Sequence, residues 1–225
     1  HWLSEQSSAR YEAARQTVAD FIHAPQKDSI IFTQGTTDSI NRVAMAYLKP
    51  NLKPGDEILI SIMEHHSNWI PWQQIAHETG AVLKVIPMIK PGVLDMQAFE
   101  SLLTDQCKML AILHVSNVFG CINPIKAMTK KAHAVGAKVL IDGAQAIAHL
   151  PIDVVDLDCD FYTFSALKMY GPTGVGVLYG RLSLLEAMPP YQTGGGMIER
   201  VTLEKTTWAP PPHRFEAGTP PIAGA

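Results

Sequence analysis

Asp160-Phe161-Tyr162-Thr163-Phe164-Ser165-Ala166-Leu167-Lys168-Met169-Tyr170-Gly171-Pro172-Thr173-Gly174-Val175-Gly176 is the stretch on which the fold turns. Its aromatic and β-branched start reads as a buried strand. That strand delivers Ser165 and Lys168 into a Gly- and Pro-rich turn, which feeds a second strand-like run. Upstream, Lys138-Val139-Leu140-Ile141-Asp142-Gly143-Ala144-Gln145 follows the same plan: an apolar strand carries a carboxylate to its end, and small residues turn the chain. Asp142 and Lys168 are thus one strand–loop–strand passage apart.

Working outward, runs of strand length recur at Ile30–Gln34, Glu57–Ser61, Val82–Met88, Met109–Asn117, Lys138–Ala144, Phe161–Ala166 and Gly174–Gly180. Several are apolar on both faces, as strands covered by helices on both sides must be. Helical stripes lie between them, for example Ile40, Val43, Ala44 and Tyr47, or Ile125, Met128, Ala132 and Val135. A first helix over about Ser4 to His23, capped by Ser4, is expected to bury Val18, Phe21 and Ile22. Turns are marked at Lys53-Pro54-Gly55-Asp56, Lys90-Pro91-Gly92 and Gly171-Pro172-Thr173-Gly174. The expectation is an α/β, three-layer fold: a mostly parallel, seven-stranded sheet with helices on both faces. Ligands of such sheets sit beyond the carboxyl ends of the strands.

The 225 residues suffice for one large domain, and residues 1–225 read as a single unit. The chain opens on His1 with no initiator Met, and its tail breaks off at Ala225 where another element could begin, so it reads as part of a longer polypeptide. A net charge of −3 argues against nucleic acid or an anionic membrane as partner. No apolar run reaches the ~20 residues that span a bilayer, and no export leader is evident. Cys107, Cys121 and Cys159 form no CxxC pair, which suits a reducing cytoplasm.

The residue types at the strand ends specify a chemistry. A lysine amine can form a Schiff base with an aldehyde cofactor, and a carboxylate facing a pyridine nitrogen keeps that ring protonated and electron-withdrawing. Taken singly, Asp142 is equally well a turn residue and Lys168 a solvated lysine; together, in this apolar setting, they favour a cofactor pair. Gln34-Gly35-Thr36-Thr37-Asp38-Ser39 follows a strand and opens a helix, offering backbone donors and hydroxyls to a phosphate, although threonine capping alone accounts for the pattern too. Met63-Glu64-His65-His66-Ser67-Asn68 invites a metal reading but lacks a third ligand; a flat imidazole laid against the cofactor ring, or a structural histidine, is more economical. Ser116-Asn117 closes another strand, where an amide can reach a phenolic oxygen.

Gly35-Thr36-Thr37, Glu64-His65-His66, Ser116-Asn117-Val118, Asp142-Gly143-Ala144-Gln145, Ser165 to Gly174, and Phe215-Glu216-Ala217-Gly218-Thr219-Pro220 occur in order over essentially the whole chain. The set resembles the group II cysteine desulfurases and selenocysteine lyases of the class-V aminotransferase superfamily. The resemblance implies pyridoxal 5′-phosphate bound through Lys168, with Asp142 on the pyridinium. It places His65 against the ring and Gln145 with Asn117 on the phenolic oxygen. Thr36, Thr37 and Ser165 hold the phosphate, and Thr219 reaches the phosphate of a partner subunit in a homodimer. Lys168, His65 and Asp142 are the residues it implies for catalysis, and no metal. The implied reaction takes L-cysteine to L-alanine and leaves sulfur as an enzyme persulfide, for a sulfur-acceptor protein or iron–sulfur clusters; L-selenocysteine, another reaction on this scaffold, or a non-catalytic homologue are the alternatives. The family has His before the lysine where this chain has Leu167, which removes a phosphate donor. The family also has Gly where this chain has Ala166, and usually Asn where it has Pro221. None of the three cysteines matches the family's sulfur-accepting Cys, which with a substrate-binding Arg belongs to a later region; residues 1–225 alone are expected to be inactive.

Overall fold

The computed structural model describes residues 2–225. In chain order the main elements are α1 (Trp2–Phe21), β1 (Ile30–Thr33), α2 (Thr36–Arg42), β2 (Glu57–Ser61), α3 (Ile70–Thr79) and β3 (Val82–Ile86). Two short strands, β4 (Met88–Lys90) and β5 (Val93–Leu94), precede α4 (Met96–Leu102), β6 (Cys107–Leu113), α5 (Ile125–Ala134) and β7 (Lys138–Asp142). The chain continues with β8 (Phe161–Ser165), β9 (Gly176–Gly180), α6 (Leu182–Ala187), β10 (Ile198–Val201) and β11 (Thr206–Trp208).

All seven expected strands join one sheet in the order β1-β9-β8-β7-β6-β2-β3. The pairs from β3 through β2, β6 and β7 to β8 are parallel, while β9 is antiparallel to both β8 and β1. Only β9 therefore runs against the rest, and the carboxyl ends of the other six share one edge. Helices cover both faces. Leu59, Leu110, Ile112, Val139 and Ile141 pack on one side with Tyr11 and Ala19 of α1, Phe99 of α4 and Met128 of α5. Ile58, Ile60, Met109, Ala111 and Leu140 pack on the other with Ile40 of α2, Trp72 and Ile75 of α3 and Leu185 of α6. The alternation along each strand is the period of two that a sheet imposes. Each such aliphatic or aromatic side chain contributes about 1.5–3 kcal/mol when fully buried.

Local chemistry sets the ends. The Asp95 carboxylate accepts from the N–H groups of Gln97 and Ala98 and starts α4. Pro71 opens α3, and Gly80, at φ 75°, ends it. At two places a side chain is excluded. A Cβ on Gly176 would lie 2.3 Å from the Cα of Gly35, itself at φ 148°, so β9 and the turn after β1 touch backbone to backbone. A Cβ on Gly143 would lie 2.1 Å from the Tyr162 ring.

Two local expectations are corrected. Ser4 lies inside α1 rather than capping it, and Phe21 is exposed; the buried face of α1 is Tyr11, Arg15 and Ala19. Arg15 is buried because its guanidinium meets the Glu216 carboxylate at 2.6 and 2.9 Å and the Ile30 carbonyl at 2.8 Å. The strand read over Met109–Asn117 ends at Leu113, and Asn117 falls in the turn that the Val115–Ile122 bridge closes. Among the described residues no helix is long and apolar enough to cross a membrane.

Candidate functional site

The carboxyl edge of the sheet opens into a cavity of about 280 Å³. Its walls carry Thr36, Thr37, His65, Asn117, Asp142, Gln145, Ser165 and Lys168, together with Ser67, Leu113, Val115 and Ala144. The topology explains the convergence. Thr36 and Thr37 follow β1, His65 follows β2, Asn117 follows β6, Asp142 ends β7 and Ser165 ends β8. Lys168 lies in the single 3-10 turn, Ala166–Met169, that leaves β8.

One corner of the cavity is built of hydroxyls. The Thr36 N–H donates to Ser165 Oγ at 2.8 Å, and the two hydroxyl oxygens are 2.7 Å apart. Thr36 heads α2, whose helical path runs on through Val43–Leu48. Hydroxyls at a helix N-terminus suit a phosphate.

Asp142 occupies the floor. It is 5% exposed, and its Oδ1 accepts the Ala144 N–H at 2.9 Å. Burial raises its pKa, and the charges of Lys168 and His65 act to lower it. Among the described residues Oδ2 has no hydrogen-bond partner, so the carboxylate can take a cationic N–H from a ligand in the cavity. The residues therefore fit pyridoxal phosphate: an amine, a buried carboxylate with an open oxygen, and a hydroxyl corner share one space. His65 Nδ1 accepts the Ser67 N–H at 3.1 Å and lies 2.8 Å from Ser67 Oγ. With Nδ1 an acceptor, the neutral ring carries its proton on Nε2.

Thr219 lies apart from the others, exposed beside Gln34, Glu216 and Pro220. Leu167 is 52% exposed and is not among the residues lining the cavity, so it fills no apolar gap there. Cys107 and Cys159 are buried, and burial pushes the Cys107 thiol up to about 12 and the Cys159 thiol higher still. Cys121 is partly buried, 3.9 Å from the Met63 sulfur.

Sequence reasoning misses Ser67, Leu113, Val115 and Ala144 in the walls, and it gives Glu64 no role. A serine two residues after a histidine in a turn is the one available signal for Ser67. Glu64, read only as part of the Glu64-His65-His66 motif, is 7% exposed.

The aminotransferase class-V family model matches residues 1–225. A cysteine desulfurase of Dickeya dadantii is 50% identical over the whole chain, which spans 55% of that relative's length. The crystal structure of the Escherichia coli cysteine desulfurase CsdA, in an S-sulfonic acid form, superposes with a TM-score of 0.94 at 45% identity, covering 98% of this chain and 55% of that one. A more distant structure, a lysine-to-alanine mutant of C-DES with glycine covalently linked to its pyridoxal phosphate, has a TM-score of 0.81 at 26% identity, covering 96% of this chain and 56% of that one. The chain thus spans about half the length of the proteins it matches.

Proposed function

Because the chain belongs to the class-V aminotransferase family, we propose that residues 1–225 are the pyridoxal-phosphate-binding domain of a cysteine desulfurase acting on L-cysteine. The observation that carries this reading is the gathering of Lys168, Asp142, His65 and the Thr36–Ser165 hydroxyl pair around one cavity. The similarity to cysteine desulfurases over the full 225 residues supports the substrate, and the glycine adduct in C-DES supports the cofactor.

When bound, pyridoxal phosphate supplies an electron sink for bond breaking at the substrate's Cα. The residues of this chain do the rest. Lys168 Nζ would hold the cofactor covalently and would move protons at the substrate. Asp142 Oδ2 holds a proton on the ring nitrogen, which a buried carboxylate does well because its charge is little screened. Thr36, Thr37 and Ser165 hold the phosphate. Gln145 and Asn117 orient the phenolic oxygen, and His65 presents its ring to the cofactor. The overall reaction releases L-alanine and leaves sulfur as a persulfide for onward transfer, as iron–sulfur cluster assembly requires. Cys107 and Cys159 do not serve as its acceptor, because a buried thiol with a raised pKa is a poor nucleophile. In this reading the protein is a cytoplasmic homodimer, with Thr219 contacting the partner subunit's cofactor phosphate.

The test is a pyridoxal phosphate titration, followed by an alanine assay on a full-length protein carrying this sequence. A visible absorbance band that saturates with cofactor, and alanine formed from L-cysteine, are expected. Saturating binding without alanine would remove the desulfurase assignment and leave the cofactor assignment standing.

A further inference from the structure

Glu64 stands directly before His65 but is buried and does not line the cavity. Its Oε1 accepts from Ser61 Oγ at 2.5 Å and from the Leu113 N–H at 3.2 Å. Its Oε2 accepts from Asn68 Nδ2 at 2.6 Å, and Asn68 Oδ1 accepts from Trp72 Nε1 at 2.8 Å. One side chain thus joins the ends of β2 and β6 to the turn over 65–68 and, through Asn68, to the buried indole of α3. The His65 ring bonds only Ser67 of the same turn, among the described residues. Its ring therefore sits wherever the turn is held.

We propose that Glu64 is a positioning residue for His65: its carboxyl group ties the 65–68 turn to the carboxyl edge of the sheet and so sets the histidine ring against the cofactor. The inference rests on the reading that His65 faces pyridoxal phosphate. Burial accounts for the choice of a carboxyl group. Three polar groups converge on two oxygens, and each is left without a partner if they go; when the carboxyl holds its proton, that proton points to Ser61 Oγ, which then accepts. An amide cannot replace it. A glutamine can accept from Ser61 and Leu113 with its oxygen, but its NH₂ then faces the NH₂ of Asn68. Turning Asn68 over only moves the clash to the Trp72 N–H. The pattern is restored if the carboxylate moves one partner along. In Glu64→Gln/Asn68→Asp the new amide donates to one aspartate oxygen and Trp72 Nε1 to the other.

That pair makes the experiment. In cofactor-free protein labelled with ¹⁵N-histidine, His65 of wild type should show a single tautomer with the proton on Nε2. Glu64→Gln should show mixed tautomers, and the double variant should return the single one. In cofactor-loaded protein, Glu64→Gln should bind pyridoxal phosphate severalfold to about tenfold more weakly, the scale of one lost ring-on-ring contact. It should also lose visible circular dichroism, with both recovered in the double variant. A purely structural Glu64 would lower only the melting temperature. A folded Glu64→Gln with wild-type tautomer, affinity and dichroism overturns the proposal, as does a double variant that fails to fold or keeps mixed tautomers. The tautomer measurement needs no cofactor. It therefore tests this inference even if wild type proves not to bind pyridoxal phosphate, which would count against the functional reading alone.

Discussion

The hydroxyls of Thr36 and Ser165, 129 residues apart in the chain, meet at 2.7 Å where the end of β8 abuts the start of α2. The Thr36 N–H closes the contact by donating to Ser165 Oγ. Ser165→Ala removes that acceptor and one hydroxyl from the cavity wall. A hydrogen bond involving a charged group contributes about 1.5–3 kcal/mol, so pyridoxal phosphate affinity should fall roughly tenfold to a hundredfold. Equilibrium titration of the apo protein checks this, with Ser165→Thr as the variant that retains a hydroxyl.

Gly143 follows the cavity-lining Asp142 and has no room for a side chain, since a Cβ would sit 2.1 Å from the Tyr162 ring. Tyr162 is fully buried, with its hydroxyl 3.1 Å from His114 Nδ1. Gly143→Ala should therefore cost about 1–3 kcal/mol of stability, the usual effect of overpacking. A urea unfolding curve reads the loss directly.

Leu167 occupies the place of a family histidine but is 52% exposed. Leu167→Ala should change stability by no more than about 0.5 kcal/mol, as surface substitutions do. Leu167→His supplies a donor beside Lys168 and should tighten pyridoxal phosphate binding about tenfold. Titration of both variants against wild type distinguishes a lost phosphate contact from one reassigned to other groups.

Stability should depend on pH through Glu64. Burial raises its pKa to about 8, outweighing the hydrogen bonds from Ser61, Asn68 and Leu113; nearby Asp142 adds a smaller push in the same direction. Between the ordinary carboxylate range and pH 8 the folded state holds a proton that the unfolded chain has released. Glu64's contribution is therefore greatest at low pH and is lost as pH rises toward and through 8. Cofactor-free wild type should lose urea resistance across that window, and Glu64→Gln should show a flatter dependence.

The sheet is legible in sequence because most strands are largely apolar runs near Gly, Pro or Asp, with Lys84 in β3 and Lys108 in β6 as exceptions, and the cavity follows because residues at parallel strand ends share an edge. What escapes sequence reading depends on distant partners. Arg15 lies on the buried face of α1 because Glu216 reaches it across 201 residues, so the periodicity of the helix alone points to Phe21 instead. Glu64 can be buried because partners that include the Leu113 N–H, 49 residues away, donate to it. Thr219 is legible only through resemblance, since within this chain it lies outside the cavity.

The central claim is that Lys168 carries the cofactor. The most direct measurement is borohydride reduction of the pyridoxal-phosphate-loaded protein, followed by proteolysis and mass spectrometry of the labelled peptide. The account predicts one pyridoxyl group per chain, on the peptide containing Lys168, and none after Lys168→Ala. Labelling of another lysine, or no label at saturating cofactor, would contradict it.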